Sequence, residues 1–450
     1  MVMCLCVGGV LAVGAGAQVG SGASAPPMGW NSWDSYGLTV DEAAFKANAE
    51  VMKAKLAAVG YRYAVVDEGW YFENPEDRGK PETLRYAIDA QGRYVPVAGR
   101  FPSAAVAGGV ATPSVCCGGA VMKLQATVGE TSFKPLADWM HAQGLLFGIH
   151  IVRGIPRVSV ERRLAIADSG FHAEDAADQS DACPWDPTNW GVKDNAAGQA
   201  WYDSLLKQYA GWGVDLLKVD CIAAHPYKAD EIRMIRRAMD KAGRPMVLSL
   251  SPGPAPVEKA AELAENATMW RVSDDVWDVW AKKGTGFPQS LKGQFERAEA
   301  WSGDELRTMM TLWAMRQSPL IVGANLTLLD AATLKLLTNR EVIRLDQTKG
   351  MHGEPMGASA AEGEKDLRVW SASSVGAGAD GKDVMFAAMF NVGDAAMTVE
   401  RSVEELNLGG GDEDGTGVML WDVWAGKALG KVMRVRYTIP AHGVVLLERR

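Results

Sequence analysis

Gly213-Val214-Asp215-Leu216-Leu217-Lys218-Val219-Asp220-Cys221 is the stretch on which the reading of this chain turns. It is apolar except for Asp215 and Lys218, leaves a Gly-containing turn and ends on a carboxylate. That is how a buried parallel strand carries a reactive group to its C-terminal edge. On this stretch alone, Asp220 serves equally well as a helix cap or as a partner of Lys218. What favours chemistry is that the pattern recurs on both sides.

Upstream, Pro27 to Asp34 opens as a short strand through Trp30 into a polar loop, and Tyr61 to Trp70 is a strand ending on Asp67 and Glu68. Leu145 to Ile151 is a third, carrying His150. Downstream, Met246 to Leu250 leads to Ser251, Thr268 to Asp275 carries Arg271, Asp274 and Asp275, and Pro319 to Gly323 comes last. Helical stretches separate them at Val40–Val59, Phe133–Ala142, Ala197–Trp212, Lys228–Ala242, Pro256–Asn266 and Asp304–Gln317, several closed by a glycine such as Gly60 or Gly243. Two long polar excursions, at 73–130 and from Gly154 to about Asn195, interrupt the alternation. Alternation at this spacing specifies βα units, and their number favours a closed (β/α)8 barrel over an open sheet. No Gly-x-Gly-x-x-Gly follows the first strand, so a dinucleotide site lacks its fingerprint.

From about Gly350 the period changes. Leu367–Ser371, Val384–Phe390, Val418–Trp424, Val432–Ile439 and Val444–Leu447 are short runs of strand formers with no helical pattern between most of them, an antiparallel β-sandwich. The expected division is a leader over 1–25, a barrel over 26–346 and a sandwich over 347–450. A chain of 450 residues exceeds one core, which agrees with two domains.

The net charge of −9 leaves no basic stripe for a polyanion, so nucleic acid is excluded as a partner. Met1 to Ala17 has the apolar stretch and the Ala-Gly-Ala end of a signal peptide, without a basic n-region, and is too short and Gly-rich to span a membrane. The expectation is therefore a secreted or periplasmic protein with no membrane partner. Of six Cys, Cys4 and Cys6 leave with the signal and Cys116-Cys117 is an adjacent pair, which leaves Cys183 and Cys221 as the disulfide candidate.

In such a barrel the reactive groups lie at the C-terminal strand ends, here Trp30, Asp67, Glu68, His150, Lys218, Asp220, Ser251, Arg271 and Asp275. Two acids from separate strands, flanked by Trp and by cations, are what glycoside hydrolysis needs: one attacks the anomeric carbon, the other protonates the leaving oxygen. Lys218 would keep a neighbouring carboxylate ionised, as a nucleophile requires, and Asp274 beside Asp275 would supply a like charge. The six His show no His-x-His or His-Glu-x-x-His spacing, so neither metal nor other cofactor is expected.

The pieces PPMGWNSWDSYG, YAVVDEGW, GLLFGIHIVRG, GWGVDLLKVDC, MWRVSDDVWDVW and SPLIVGANL occur in order over about 26–346. Together they resemble glycoside hydrolase family 27 of clan D, the α-galactosidases and α-N-acetylgalactosaminidases. The resemblance implies a retaining exo-glycosidase that releases terminal α-linked galactose, with Asp220 as nucleophile and Asp275, four residues after Arg271, as acid/base. It places Trp30, Asp67, Lys218 and Arg271 on sugar-contacting positions and turns Asp67 and Glu68 toward the hydroxyls that define galactose. Glu68 stands where the family commonly has Asp, His150 where it has Tyr, and Ser251 where animal-type galactosidases carry Glu. Cys221 comes one place earlier than the family's disulfide cysteine. Only Ser302 and Gly303 separate two helices between which the family has its seventh strand, so that strand is expected to be shortened or lost. This gap motivates a rival reading, a catalytically impaired carbohydrate-binding relative; N-acetylgalactosamine and β-L-arabinopyranose are the alternative glycones.

Overall fold

A computed structural model describes residues 25–78, 80, 83–105, 112–114, 125–186, 188–272, 275, 303–356, 364–378, 381–409 and 417–450. At its centre seven parallel strands form a curled sheet of the TIM-barrel type: β1 (Met28–Asn31), β2 (Tyr63–Val66), β3 (Leu146–Val152), β4 (Leu216–Asp220), β5 (Val247–Leu250), β6 (Met269–Trp270) and β7 (Leu320–Val322). Their order across the sheet is β6-β5-β4-β3-β2-β1-β7. The shortened strand anticipated from the sequence falls within 273–302, outside the described residues except for Asp275. Among the described residues, β6 and β7 are the two edges.

The helices between the strands obey local rules. A short turn, α1 (Trp33–Tyr36), leaves β1, and α2 (Glu42–Lys55) starts where the Asp41 carboxylate accepts the Ala44 amide, capping a free N–H. After α2 a single 3-10 turn reaches Gly60 at φ 112, the left-handed conformation that ends the helical stretch. Then come α3 (Lys134–Ala142), α4 (Ala196–Trp212), α5 (Ala229–Ala242), α6 (Ala260–Asn266), α7 (Gly303–Met315), α8 (Ala331–Leu337) and α9 (Arg340–Gln347). Gly213, which opens the stretch that decides the fold, stands at φ 86 and turns α4 directly into β4. Among the described residues no helix is long and apolar enough to cross a membrane.

Strand pleating sorts each strand into two faces. The outward faces, including Trp30, Val66, Phe147, Ile149, Leu217, Val219, Leu248, Leu250, Leu320 and Val322, join one large core with the helices. The inward faces meet inside the barrel, where Val65, Leu216, Val247, Met269 and Ile321 make an apolar floor. A Cβ on Gly148 would sit 2.8 Å from the Val65 side chain, so the floor closes only because that inward position has none. Above the floor the inward residues become polar.

Among the described residues the C-terminal part has eight strands, where the sequence shows five runs. A six-stranded antiparallel sheet is built from β8 (His352–Pro355), β9 (Leu367–Ser374), β10 (Val384–Asn391), β12 (Val418–Asp422), β13 (Lys427–Val432) and β15 (Val444–Arg449). A two-stranded sheet, β11 (Met397–Ser402) with β14 (Arg434–Ile439), covers one face of it over Leu367, Met389, Val399, Leu420, Val435 and Leu447. The opposite face rests on the barrel: Phe386, Ala388 and Leu446 join its core, and the Trp424 indole donates to Thr311 Oγ1 on α7 at 2.9 Å. Arg450 stacks on Trp421 at 4.5 Å. Both Trp424 and Trp421 are thus engaged by packing.

Candidate active site

Register decides which side chains share the barrel mouth. Val66 pairs with Ile149, His150 with Lys218, and Lys218 with Ser249. Asp67, one residue past Val66, therefore falls level with His150 and Lys218, and these three form a polar layer on the apolar floor. Leu250 pairs with Val219 and with Trp270, so Asp220, Ser251 and Arg271 make the next layer up. Six of the nine residues predicted from strand ends are thus brought together by pleat and register alone.

The lower layer is held by ions. Lys218 Nζ donates to Asp67 Oδ2 at 2.8 Å, and Asn31 Nδ2 donates to the same oxygen at 2.6 Å. Ser32 Oγ accepts the Asp67 amide at 2.9 Å, fixing the strand end. Burial by itself would push the Asp67 carboxyl up; the Lys218 and His150 charges outweigh it and hold it below its ordinary value. His150 is fully buried, with Nε2 3.2 Å from Asp220 Oδ2. Burial pushes the imidazole down, but the Asp67 and Asp220 carboxylates reverse this and leave it above its ordinary value.

Asp220 is the acid of the mouth held furthest below its ordinary value. Burial opposes its ionisation, but the His150 hydrogen bond and the Lys218 charge prevail, with Ser251 adding to them, and the carboxyl lies well below the usual carboxylate range. Its side chain keeps 15% exposure, enough for a reacting atom to reach it. The next residue, Cys221, adopts φ 63, a left-handed conformation that a non-glycine residue holds only where its surroundings enforce it. The surroundings are plain: Cys221 is bridged to Cys183 with Cα atoms 6.0 Å apart, and its carbonyl accepts Arg153 Nε at 2.7 Å. The disulfide candidate is therefore a disulfide.

On β6 and the segment after it, Arg271 is 2% exposed and its Nη1 lies 2.5 Å from Asp275 Oδ1, while the Asp275 side chain is 33% exposed. Asp274, the other acid considered, lies outside the described residues. Glu68 pairs with Arg78 at 2.7 Å. Burial pushes its carboxyl up to about 7; Arg78 opposes this and Asp186 reinforces it.

Trp30 does not join the mouth. On β1 the inward positions are Gly29 and Asn31, so Trp30 faces the helices, completely buried, with its indole donating to the Ala324 carbonyl at 2.9 Å and its ring against Tyr36 and Phe45. It has no free face for a sugar, and the expectation of a sugar contact there is corrected.

Two residues that strand ends do not reveal belong to the site. Asp34, on α1, lies close enough to feel Lys218, Asp275 and Asp67; burial pushes its carboxyl up to about 7, with Lys218 opposing and the two acids reinforcing. Its signal was available in the polar loop after β1. Arg153, immediately after β3, is 2% exposed and binds Asp181 through both oxygens, at 2.8 and 3.0 Å, and Glu231 at 2.7 Å. It forms the foundation under the Asp220–Cys221 turn. Among the described residues no group of three or more His, Cys, Asp or Glu could hold a metal ion.

An ionised, partly exposed carboxylate flanked by cations, with a second carboxylate carried two strands away on an arginine, is equipped for displacement at a glycosidic carbon. Comparison with known proteins agrees. The family model described as alpha galactosidase A matches residues 193–285, and the alpha galactosidase C-terminal beta sandwich domain matches 364–448. An α-galactosidase of Coffea arabica is 25% identical over 77% of this chain and 75% of its own length. The solved structure of a family 27 β-L-arabinopyranosidase from Geobacillus stearothermophilus is 35% identical, covering 95% of this chain and 96% of that one at a TM-score of 0.73. A variant of that enzyme, solved in complex with arabinose, superposes at a TM-score of 0.77 with 34% identity over 97% of this chain and 99% of that one. With that identity over nearly the whole length, on a barrel mouth furnished with the acids the chemistry needs, this chain belongs to glycoside hydrolase family 27 and is a glycosidase.

Proposed function

We propose that the protein is a retaining exo-glycosidase acting on a terminal pyranoside of galactose configuration, α-D-galactopyranoside first. The single observation that carries this is the setting of Asp220: partly exposed at the strand end, with His150 Nε2 3.2 Å from its Oδ2 and Lys218 two residues before it on the same face, which together hold its carboxyl low. Asp220 attacks the anomeric carbon while Asp275 gives its proton to the leaving oxygen, so that the glycosidic C–O bond breaks as the ester bond forms. Asp275, now a carboxylate, takes a proton from water, and that water cleaves the ester and returns Asp220 to its starting state. Asp67 and Lys218 are placed to receive sugar hydroxyls, and Arg271 orients Asp275. The test is Asp220→Ala on a nitrophenyl glycoside, with proton NMR of the first-formed sugar. Abolished turnover in the variant and a first-formed α-anomer from wild type are expected; variant activity near wild type, or an initial β-anomer, removes Asp220 as nucleophile.

A second reading of the glycone rests on Glu68. β-L-Arabinopyranose is α-D-galactopyranose without its C6 hydroxymethyl group. Glu68 is one methylene longer than the Asp common in the family and is tied to Arg78 at 2.7 Å, and a longer acid at a position that the resemblance turns toward the sugar leaves less room for the hydroxymethyl group. The β-L-arabinopyranosidase relative, at 35% identity, supports the same reading. The kcat/KM ratio between the two nitrophenyl glycosides decides between them, and Glu68→Asp is expected to move it toward the galactoside. We also place the domain boundary near 346 and, because a formed disulfide suits an oxidising compartment, the working location outside the cytoplasm.

A further inference from the structure

The excursion after β3 contains a tight turn that chemistry at Asp220 does not use. Cys183 and Asp186 form an isolated antiparallel bridge, so Pro184 and Trp185 occupy its tip. Both feet are buried, Cys183 at 6% exposure and Asp186 at 1%, whereas Trp185 is 37% exposed. The feet are also fastened to the site. Cys183 is bonded to Cys221, whose amide lies 3.3 Å from Asp220 Oδ1, and Asp186 is near enough to act on both Glu68 and Arg78. A large indole left in solvent costs hydration, and it is held there by a covalent link one residue from the candidate nucleophile.

We propose that Trp185 is the platform for the leaving-group sugar, stacking on the apolar C–H face of the pyranose ring that departs from the anomeric carbon. The glycone lies inside the mouth, over Asp67, His150 and Lys218, and its anomeric carbon must meet Asp220. Whatever is attached to that carbon must leave on the open side of the mouth, and Trp185 is two residues from Cys183, whose Cα is 6.0 Å from that of Cys221, the neighbour of Asp220. A flat ring with fixed feet binds a sugar face without ordering a loop first, so little entropy is lost on contact. The ligand class is a neutral pyranose, since no charged group shares the tip of the turn.

This inference rests on the proposed hydrolysis, and the experiment separates the two. Wild type, Trp185→Ala and Trp185→Phe are compared on a glycosyl fluoride, whose leaving group is one atom, and on the same glycone linked to O6 of glucose. For Trp185→Ala the kcat/KM on the disaccharide is expected to fall about 5- to 10-fold, with less than about a 2-fold change on the fluoride. Trp185→Phe, which keeps a flat face, is expected to recover most of the loss. In parallel, calorimetric binding of disaccharide and monosaccharide to Asp220→Ala, with and without Trp185→Ala, reads the platform when no chemistry occurs; only disaccharide binding is expected to weaken. Equal losses on both substrates, or undiminished disaccharide binding, overturn the platform. A wild type that leaves the fluoride intact while disaccharide binding still depends on Trp185 overturns the hydrolysis and keeps the platform.

Discussion

Replacing Arg153 by Met keeps the bulk of a buried side chain and removes its charge, and the surroundings of that charge set the cost. The guanidinium is 1% exposed and Glu231, its partner at 2.7 Å, is 3% exposed. At an effective dielectric of 20, two charges at that distance attract by roughly 6 kcal/mol, a gross figure that desolvation reduces. Breaking a buried pair from one side leaves the other charge uncompensated and typically costs about 3–5 kcal/mol. For a chain of 450 residues unfolding together, an entropy of roughly 2 cal/mol/K per residue turns about 4 kcal/mol into a melting shift of about 4 °C.

The pH dependence is the sharper signature. Burial already holds the Glu231 carboxyl above its ordinary value, with Arg153 and Tyr202 opposing it. In Arg153→Met the main opponent is gone and the folded-state carboxyl rises further. A carboxyl whose folded value lies above its unfolded value destabilises the fold at high pH, and the deficit shrinks as pH falls toward the unfolded value of about 4.3. Urea denaturation at pH 8 and pH 5 should show the gap to wild type narrowing in acid, and the double variant Arg153→Met/Glu231→Gln should recover a good part of it. A gap under about 1 kcal/mol, or one that widens in acid, would refute the reasoning, because the buried pair would then not be what stabilises the Asp220–Cys221 turn.

Reduction of the Cys183–Cys221 bridge, which spans 38 residues, should cost about 4 kcal/mol on the chain-entropy account; an unchanged urea midpoint with and without a phosphine reductant would count against it. Asp34→Asn removes a carboxyl that titrates near 7 beside Asp275. In wild type a negative charge appears there as pH rises through neutrality, so the kcat/KM profile of the variant should lose a component titrating near 7, and an unchanged profile would discard a role for Asp34.

Much of the barrel was legible because a strand buried on both faces has nowhere to put a charge except the inward mouth. Lys218 and Asp220 break an apolar run two residues apart, which puts both on one face of β4, and the same arithmetic exposed Asp67, Ser251 and Arg271. It also explains the misreading at β1. In Met28-Gly29-Trp30-Asn31 the eye goes to the tryptophan, but the inward positions are the glycine and the asparagine, and Asn31 is the residue that reaches Asp67. Arg153 was invisible for a different reason: its carboxylate partners, Asp181 and Glu231, lie 28 and 78 residues away, and only folding brings them together. In the C-terminal part the missed strands are those with weak alternation. β8 is an exposed edge of sequence His-Gly-Glu-Pro, and β13 reads Lys-Ala-Leu-Gly-Lys-Val. Their partners, and not their own composition, make them strands.

Four of the acids at the mouth show how one small volume sustains opposite protonation states. Asp67 and Asp220 share Lys218 and His150, and both are held low. Asp34 and Glu68 are as deeply placed, yet both rise to about 7. Burial pushes all four in the same direction, so the difference comes from position in the layers. Lys218 shares the inward face of β4 with Asp220 and reaches across β3 to Asp67, which it touches directly, whereas at Asp34 its field is opposed by those of Asp275 and Asp67. Glu68 does own a cation, Arg78, but it also faces Asp186 and Asp220, and burial prevails. The proposed displacement needs Asp220 ionised, which His150 and Lys218 secure; Asp34 and Glu68, raised toward neutrality, line the same site, and the proposed acid is a further carboxyl, Asp275 on Arg271. The division between low and raised carboxyls was written by which inward positions of β3 and β4 hold His and Lys.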